Sequence, residues 1–314
     1  MTPKRYRIIA NPVAGSGSGR RAIPRIQRLL TEWGLDFDLV RTEYPGHATE
    51  LARQSAIAGY DVVVAAGGDG TSNEVINGLM EAKEAGRSSV VMGVLGVGRG
   101  SDFANAVAIP ADLESACRTL VEDRRRMIDL GKVVGGKYPQ GRYFGNCVGV
   151  GFDAIGTIEA AKLPRLGGFL SYLVAVLKTI FLYYNAPLVT IEYDGQTLTQ
   201  PCLMVSVMNG RRLGGGFIMA PDAEPDDGLF DLCIAHAVSR VRVFTLIPHF
   251  FRGTQASQEP IKTGRAARIS IIAVGGSLPA QTDGEILCVD GQRLDIEILP
   301  RQMEVVCGSP GGNS

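Results

Sequence analysis

Net charge is the first thing this 314-residue sequence lacks: 32 basic and 32 acidic residues cancel, so no global field draws it to nucleic acid or to an anionic membrane. Partners must be selected by local features. The six cysteines, Cys117, Cys147, Cys202, Cys233, Cys288 and Cys307, form no C-x-x-C pair and have no histidine at metal-ligand spacing. That argues against a zinc site and suggests reduced core thiols in a cytoplasmic protein. His236 and His249 have no evident partners and read as structural or surface residues. Long apolar runs are missing too. The longest, Phe169 to Tyr184, would extend about 24 Å as a helix and carries Lys178, against the roughly 30 Å core of a bilayer; no membrane span is expected. Met1 to Arg7 is polar and leads straight into a strand without the apolar stretch and cleavage site of a signal peptide, so secretion is not expected. Beyond a Gly/Ser/Pro tail after Cys307, expected to fray, no low-complexity tract or repeat is present.

Glycine, in contrast, is abundant at 40 residues and is concentrated where strands should end. The apolar run Val62 to Ala66 leads into Gly67-Gly68-Asp69-Gly70-Thr71. Glycine lets backbone N–H groups approach an anion, threonine adds a hydroxyl, and the helix starting near Ser72 presents its positive end. Asp69 would repel a phosphate unless a cation or a ribose hydroxyl lay between them. The alternative is a tight strand-to-helix turn. Around this loop the first third reads as a βαβ series, with strands at Arg7 to Ala10, Asp36 to Arg41, Val62 to Ala66 and Val90 to Leu95. Helices are expected over Ala22 to Trp33, from His47, and across Val75 to Met80. Such a series builds a parallel sheet that binds ligands at the carboxyl ends of its strands. Glycine loops fall there three times, at Asn11 to Gly19, Gly67 to Thr71 and Gly96 to Asp102.

From about Met127 the texture changes to apolar runs at Met127 to Val134, Tyr143 to Val150, Leu188 to Tyr193, Cys202 to Met208, Leu229 to Ala235 and Ile269 to Ala273. Asp194-Gly195 and Asp290-Gly291 read as turns, and helical inserts are expected at Ala154 to Tyr184 and Val238 to Phe251. An antiparallel sheet domain is expected, with an open edge through which the chain could form a homodimer. Asp283-Gly284-Glu285 lies between apolar strands. As an extended segment it would put both carboxylates on one side; Asp-Gly is also a common hairpin turn.

In order along the chain, several motifs resemble the diacylglycerol kinase catalytic-domain family, bacterial lipid kinases related to sphingosine and ceramide kinases. They are Asn11-Pro12-Val13-Ala14-Gly15, Pro45-Gly46-His47-Ala48, Gly67 to Glu74, Ser101-Asp102-Phe103-Ala104, Gly149 to Asp153, Asn209 with Gly214-Gly215-Gly216, Pro221 to Leu229, and Asp283-Gly284-Glu285. The resemblance implies a Rossmann-like α/β domain with a parallel sheet over 1–130, to which about 300–314 returns. It implies an antiparallel β-sandwich over 131–299 that takes the lipid, and a nucleotide cleft between the two. The implied activity is ATP-dependent phosphorylation of a lipid hydroxyl by a cytoplasmic protein that touches the membrane transiently and binds no nucleic acid. Asn11, Pro12, Val13, Ala14, Gly15, Thr42, Gly67, Gly68, Asp69, Gly70, Thr71, Ser72 and Asn73 would line the ATP site. Asp283 or Glu285 would be the general base. Glu224, Asp227 and the Leu229 carbonyl would hold Mg²⁺, for which hard oxygen donors on a tight turn are suited.

The sequence departs from the family where members commonly read Pro-x-Gly-Thr-x-Asn-Asp-Phe-Ala. Here Arg99 and Ser101 replace the threonine and asparagine. Arg99 either clamps phosphate with its planar donors or fills the nucleotide site. Leu166 to Tyr184, apolar nearly all round, is the sequence candidate for a lipid groove, with core packing as the alternative. Two other functions fit parts of this pattern. An NAD kinase shares the Gly-Gly-Asp-Gly-Thr signature, and a lipid-binding regulator would retain the fold with weakened nucleotide contacts.

Overall fold

Apolar residues dominate the first four strands, β1 (Tyr6–Ala10), β2 (Phe37–Arg41), β3 (Val62–Gly67) and β4 (Val91–Gly96). In the computed structural model, which describes residues 4–87, 89–97, 101–162, 174, 178 and 184–308, they form a parallel sheet in the order β2-β1-β3-β4. The end of the last strand of the chain joins this sheet parallel to β4, with Val305 opposite Met92. Val62 to Ala66 are buried at every position, so both faces of β3 are covered, as expected of a parallel sheet flanked by helices.

Those helices are α1 (Ala14–Glu32), α2 (His47–Ile57), α3 (Asp69–Glu84), α4 (Asp102–Ala106) and α5 (Leu113–Glu122). α1 packs beside α5 and α2 beside α3. The second pair is close because Gly78 has no side chain: a Cβ there would fall 2.2 Å from the Thr49 carbonyl oxygen. α1 begins earlier than the apolar periodicity suggests, but Gly15, Ser16 and Gly17 in its first turn have left-handed backbone, at φ 57°, 56° and 94°. The regular helix starts only after them.

The chain divides into two compact units, Met1–Ile128 with Arg301–Ser314, and Asp129–Pro300. The second contains most of β5 (Arg125–Gly135), then β6 (Tyr138–Phe144), β7 (Cys147–Gly151), α6 (Phe152–Lys162), β8 (Leu188–Tyr193), β9 (Gln196–Met208), β10 (Arg212–Leu213), β11 (Phe217–Ile218), β12 (Phe230–His236), α7 (Arg240–Arg252), β13 (Ile261–Ala266), β14 (Arg268–Ala273), β15 (Leu278–Thr282), β16 (Glu285–Gly291) and the start of β17 (Arg293–Val306). One sheet runs β13-β12-β9-β7-β15-β16, the other β9-β8-β14-β17-β5-β6. The long β9 belongs to both: Gln196 to Pro201 pair with β8, while Met204 to Met208 pair with β7. Apolar side chains of the two sheets, among them Phe144, Val205, Phe230, Ile271, Leu287 and Leu294, form one buried cluster. This is the antiparallel domain that the apolar runs imply, and the sandwich that the family resemblance implies.

Two further details differ from the sequence expectation. Tyr143 to Val150 is two strands, because the chain turns at Gly145-Asn146. Asp290-Gly291 is the end of β16, and the turn into β17 comes one residue later. The helical insert from Ala154 is seen as α6, and nearly all of Leu166 to Tyr184 lies outside the described residues.

The Phe144 ring stacks on Phe230 with centroids 5.5 Å apart, and it rests on Gly131, where a Cβ would fall 2.0 Å from Phe144 Cζ. Gly131→Ala is therefore expected to destabilise the protein by about 1–3 kcal/mol through overpacking. Thermal unfolding would show a lower midpoint, and an unchanged midpoint would contradict this packing.

Candidate active site

Asn11 directly follows β1, and its side chain organises the neighbouring loops. Its Nδ2 donates to Thr71 Oγ1 at 3.0 Å, and its Oδ1 accepts from the Val13 N–H at 3.1 Å. The carbonyl of Asn11 sits where only glycine fits opposite: a Cβ at Gly19 would lie 2.0 Å from it. Pro12 accepts from the Arg20 N–H at 3.0 Å, so the left-handed turn at Gly15 is closed at both ends. Val13 is 70% exposed and Ala14 opens the turn. Thr42 follows β2 and donates its N–H to Ala10 at 2.9 Å, which places it beside Asn11. The sequence-predicted Asn11 to Gly15, Thr42 and Gly67 to Thr71 thus share one carboxyl edge of the sheet.

At β3 the chain enters α3 through Gly67 and Gly68. A Cβ at Gly67 would collide with the Thr71 side chain at 2.3 Å, and no side chain caps α3. Its positive end is therefore presented without a side-chain acceptor, which suits an anion. Asp69 has a partner that the sequence did not reveal: its Oδ1 accepts the Phe103 N–H at 3.0 Å, tying this loop to α4. Ser72 and Asn73 are buried. Asn73 accepts from Asn77 Nδ2 through its backbone carbonyl at 2.8 Å and through its Oδ1 at 3.3 Å. Glu74 lies one residue further and accepts from the N–H groups of Gly46 and Ala48 at 2.9 and 3.0 Å, fixing the start of α2. Arg99 lies outside the described residues.

In the second unit Asp283-Gly284 is a hairpin turn joining β15 to β16, with φ of 45° and 84°. These values fit the Asp-Gly hairpin preference and replace the extended geometry in which both carboxylates share a side. Asp283 is 3% exposed. Its Oδ2 accepts the Gly145 N–H at 2.8 Å, and its Oδ1 accepts those of Asn146 and Cys147 at 3.0 and 2.9 Å. Both oxygens are thus committed to backbone, and the side chain is a clamp. Glu285, at the start of β16, is partly exposed.

Asn209, also part of the sequence pattern, is buried. Its Nδ2 donates to the carbonyls of Asp129 and Gly145 at 3.1 and 2.9 Å, supporting the segment that Asp283 clamps. The available signal was a polar residue ending the apolar run Cys202 to Met208.

The turn from Glu224 to Leu229 is acidic and carries Gly228 at φ 78°. Asp227 Oδ1 accepts the Leu229 N–H at 3.0 Å, while its other oxygen pairs with Arg265; Glu224 pairs with Arg211. Buried Asp129 accepts the Gly228 N–H at 2.7 Å. Burial pushes the Asp231 carboxyl up; Arg265 opposes this shift, and Asp227 and Asp222 add to it. No group of three or more His, Cys, Asp or Glu side chains suited to a metal occurs among the described residues. An ion here would depend on two carboxylates, the Leu229 carbonyl and water, a set that fits a hydrated hard cation. The cysteines carry no chemistry in this arrangement: no described cysteine is in a disulfide, and burial pushes the thiols of Cys117 and Cys233 up to about 12.

Residues 5–133 match the model of the diacylglycerol kinase catalytic domain, and 146–307 that of the YegS C-terminal NAD kinase beta sandwich-like domain. A diacylglycerol kinase of Bacillus subtilis is 31% identical over 287 residues, 90% of each chain. The chain belongs to the diacylglycerol kinase catalytic-domain family. It is thereby a phosphotransferase of kinase type with an alcohol group as acceptor. A diacylglycerol kinase of Staphylococcus saprophyticus is 30% identical, covering 90% of this chain and 89% of the relative. Among solved structures, a putative diacylglycerol kinase from Bacillus anthracis superposes with a TM-score of 0.78 at 24% identity, covering 97% of this chain and 95% of the other. Yeast NADH kinase complexed with NADH superposes with a TM-score of 0.53 at 13% identity, covering 98% and 85%, a likeness of fold.

The Asn11 side chain links the loops that follow β1 and β3. Asn11→Ala is expected to lose about 1–2 kcal/mol of stability and to weaken Mg·ATP binding when both are measured on one preparation. Unchanged nucleotide affinity would contradict a phosphate site at this edge.

Proposed function

We propose that the protein transfers the γ-phosphoryl group of ATP to a hydroxyl of a membrane lipid, diacylglycerol or a close relative. The observation that carries a lipid acceptor is an apolar cavity inside the second unit, lined by Phe152, Leu203, Met204, Phe217, Leu246 and Phe250 among others. Its walls offer hydrocarbon an environment that a charged dinucleotide could not use. The cavity measures about 60 Å³, so a fatty chain entering it must part the side chains of α7. The bacterial relatives named diacylglycerol kinases support the same acceptor.

In this reading Asn11 to Gly15, Thr42 and Gly67 to Thr71 receive the nucleotide, with the phosphates at the uncapped start of α3. Ser72 and Asn73, buried in the first turns of α3, complete that lining. Glu285 takes the proton from the lipid hydroxyl as the oxygen attacks phosphorus, because Asp283 has both oxygens engaged by backbone donors. Glu224, Asp227 and the Leu229 carbonyl would hold Mg²⁺, shared with Arg211 and Arg265, and the ion would fix the geometry of that loop. Positioning and charge neutralisation supply most of the catalysis.

The test is transfer of label from γ-labelled ATP with diacylglycerol in detergent micelles and NAD as parallel acceptors, with Mg²⁺ and again with EDTA. We expect labelled phosphatidic acid, dependent on the divalent ion, and no labelled dinucleotide. Label in the dinucleotide alone would establish the NAD kinase alternative. Nucleotide binding without label in either acceptor would contradict the proposal, and absence of nucleotide binding would favour a lipid-binding regulator.

A further inference from the structure

A lipid kinase has to meet its acceptor at a bilayer, and one end of the second unit carries a surface suited to that encounter. Three large apolar side chains stand exposed there: Val241 at 74%, Val274 at 53% and Leu188 at 40%. Backbone contacts link the segments that bear them. The Val274 N–H donates to the Leu188 carbonyl at 2.9 Å, Leu188 pairs across the sheet with Pro201, and the Ala237 N–H donates to the Pro201 carbonyl at 3.1 Å. Ala237 leads through the Ser239 cap into α7. Tyr184 closes the same corner by donating its hydroxyl to Val238, and the Arg240 guanidinium lies 5.7 Å over its ring.

α7 is divided lengthwise. Val243, Leu246 and Phe250 are buried and line the apolar cavity, whereas Val241, Thr245, Pro248 and Arg252 form the exposed stripe. Arg240, Arg242 and Arg252 give this helix a positive surface. Among the described residues none of the three pairs with a carboxylate, and Arg242 reaches only Gln258 and Thr245. Elsewhere Arg125, Arg211, Arg265 and Arg293 each have an acidic partner. The contributing segments 184–191, 232–258 and 267–282 contain no Asp or Glu at all, in a chain whose acidic and basic residues are equal in number. Exposed valine and leucine framed by arginine and tyrosine, on segments that carry no Asp or Glu, match the headgroup region of an anionic bilayer.

We infer that this end of the sandwich, Leu188, Val274 and Val241 with Arg240, Arg242 and Arg252, is the surface by which the protein docks on an anionic membrane, with α7 at the bilayer and the apolar cavity behind it. The inference rests on the lipid-kinase reading for its purpose, but it is tested without turnover. Co-flotation of the whole chain is compared on phosphatidylglycerol-containing and pure phosphatidylcholine vesicles, without nucleotide. The expected result is binding to the anionic vesicles alone, weakening as salt rises. Arg240→Gln with Arg242→Gln should lower the affinity about 30-fold, from roughly 1 kcal/mol per arginine. Arg240→Lys with Arg242→Lys should retain binding. Removal of the same charge from the first unit, by Arg87→Gln with Arg118→Gln, should change little. Binding by the α7 glutamine variant equal to wild type, equal loss in the first-unit control, or no anionic preference by the wild-type chain would each overturn the inference. Micellar diacylglycerol phosphorylation, assayed separately, shows whether the kinase reading stands or falls by itself.

Discussion

The Asp283 carboxylate under the N–H groups of Gly145, Asn146 and Cys147 is the contact around which the second unit's site is organised. Hydrogen bonds to an ionised acceptor are among the stronger ones in a protein, and leaving such a group buried without them is costly. The left-handed Asp283-Gly284 turn delivers the carboxylate, and the split between β6 and β7 supplies the donors. Neither element has a reason for its local shape without the other. Asn209 holds the same segment from the opposite direction through the carbonyl of Gly145. Glu285 follows directly in the chain, so its place at the head of β16 is set by a turn that is anchored three times over.

In the first unit the constraint is spatial rather than electrostatic. Gly19, Gly67 and Gly78 each stand where a single carbon would collide with the backbone or side chain of a neighbouring element. The glycines do more than make the loops flexible: they let α1, α3 and α2 approach so closely that a strand end, a helix start and a hydroxyl meet at one edge. Asn11 and Asp69 then lock the loops to one another through side-chain bonds. If phosphates bind here as proposed, loops already tied together in this way would hold them with little reorganisation.

Much of this was readable in the residues. The βαβ series and its carboxyl-edge loops follow from short apolar runs interrupted by glycine, and an antiparallel second domain from later runs with turn residues between them, while the sandwich arrangement came from the family resemblance. Geometry that depends on distant partners was not readable. Nothing near Tyr143 to Val150 announces that the chain must break there, because the reason is a carboxylate 138 positions away from Gly145. The roles of Asp283 and Glu285 could not be separated for the same cause. Asp69 looked like a repulsive element for phosphate until the Phe103 N–H appeared beside it. The apolar cavity behind α7 is likewise assembled from residues spread between Phe152 and Phe250, a spacing that no local pattern displays.

The division between a clamp and a base is the central claim, and the turnover of Glu285→Gln tests it most directly, with its unfolding midpoint and Mg·ATP affinity measured beside Asp283→Asn. The account predicts that Glu285→Gln unfolds and binds nucleotide like the wild type but loses about 10²-fold or more in kcat, whereas Asp283→Asn loses about 1.5–3 kcal/mol of stability. Wild-type turnover by Glu285→Gln, or an Asp283→Asn chain that is fully stable and yet inactive, would contradict it.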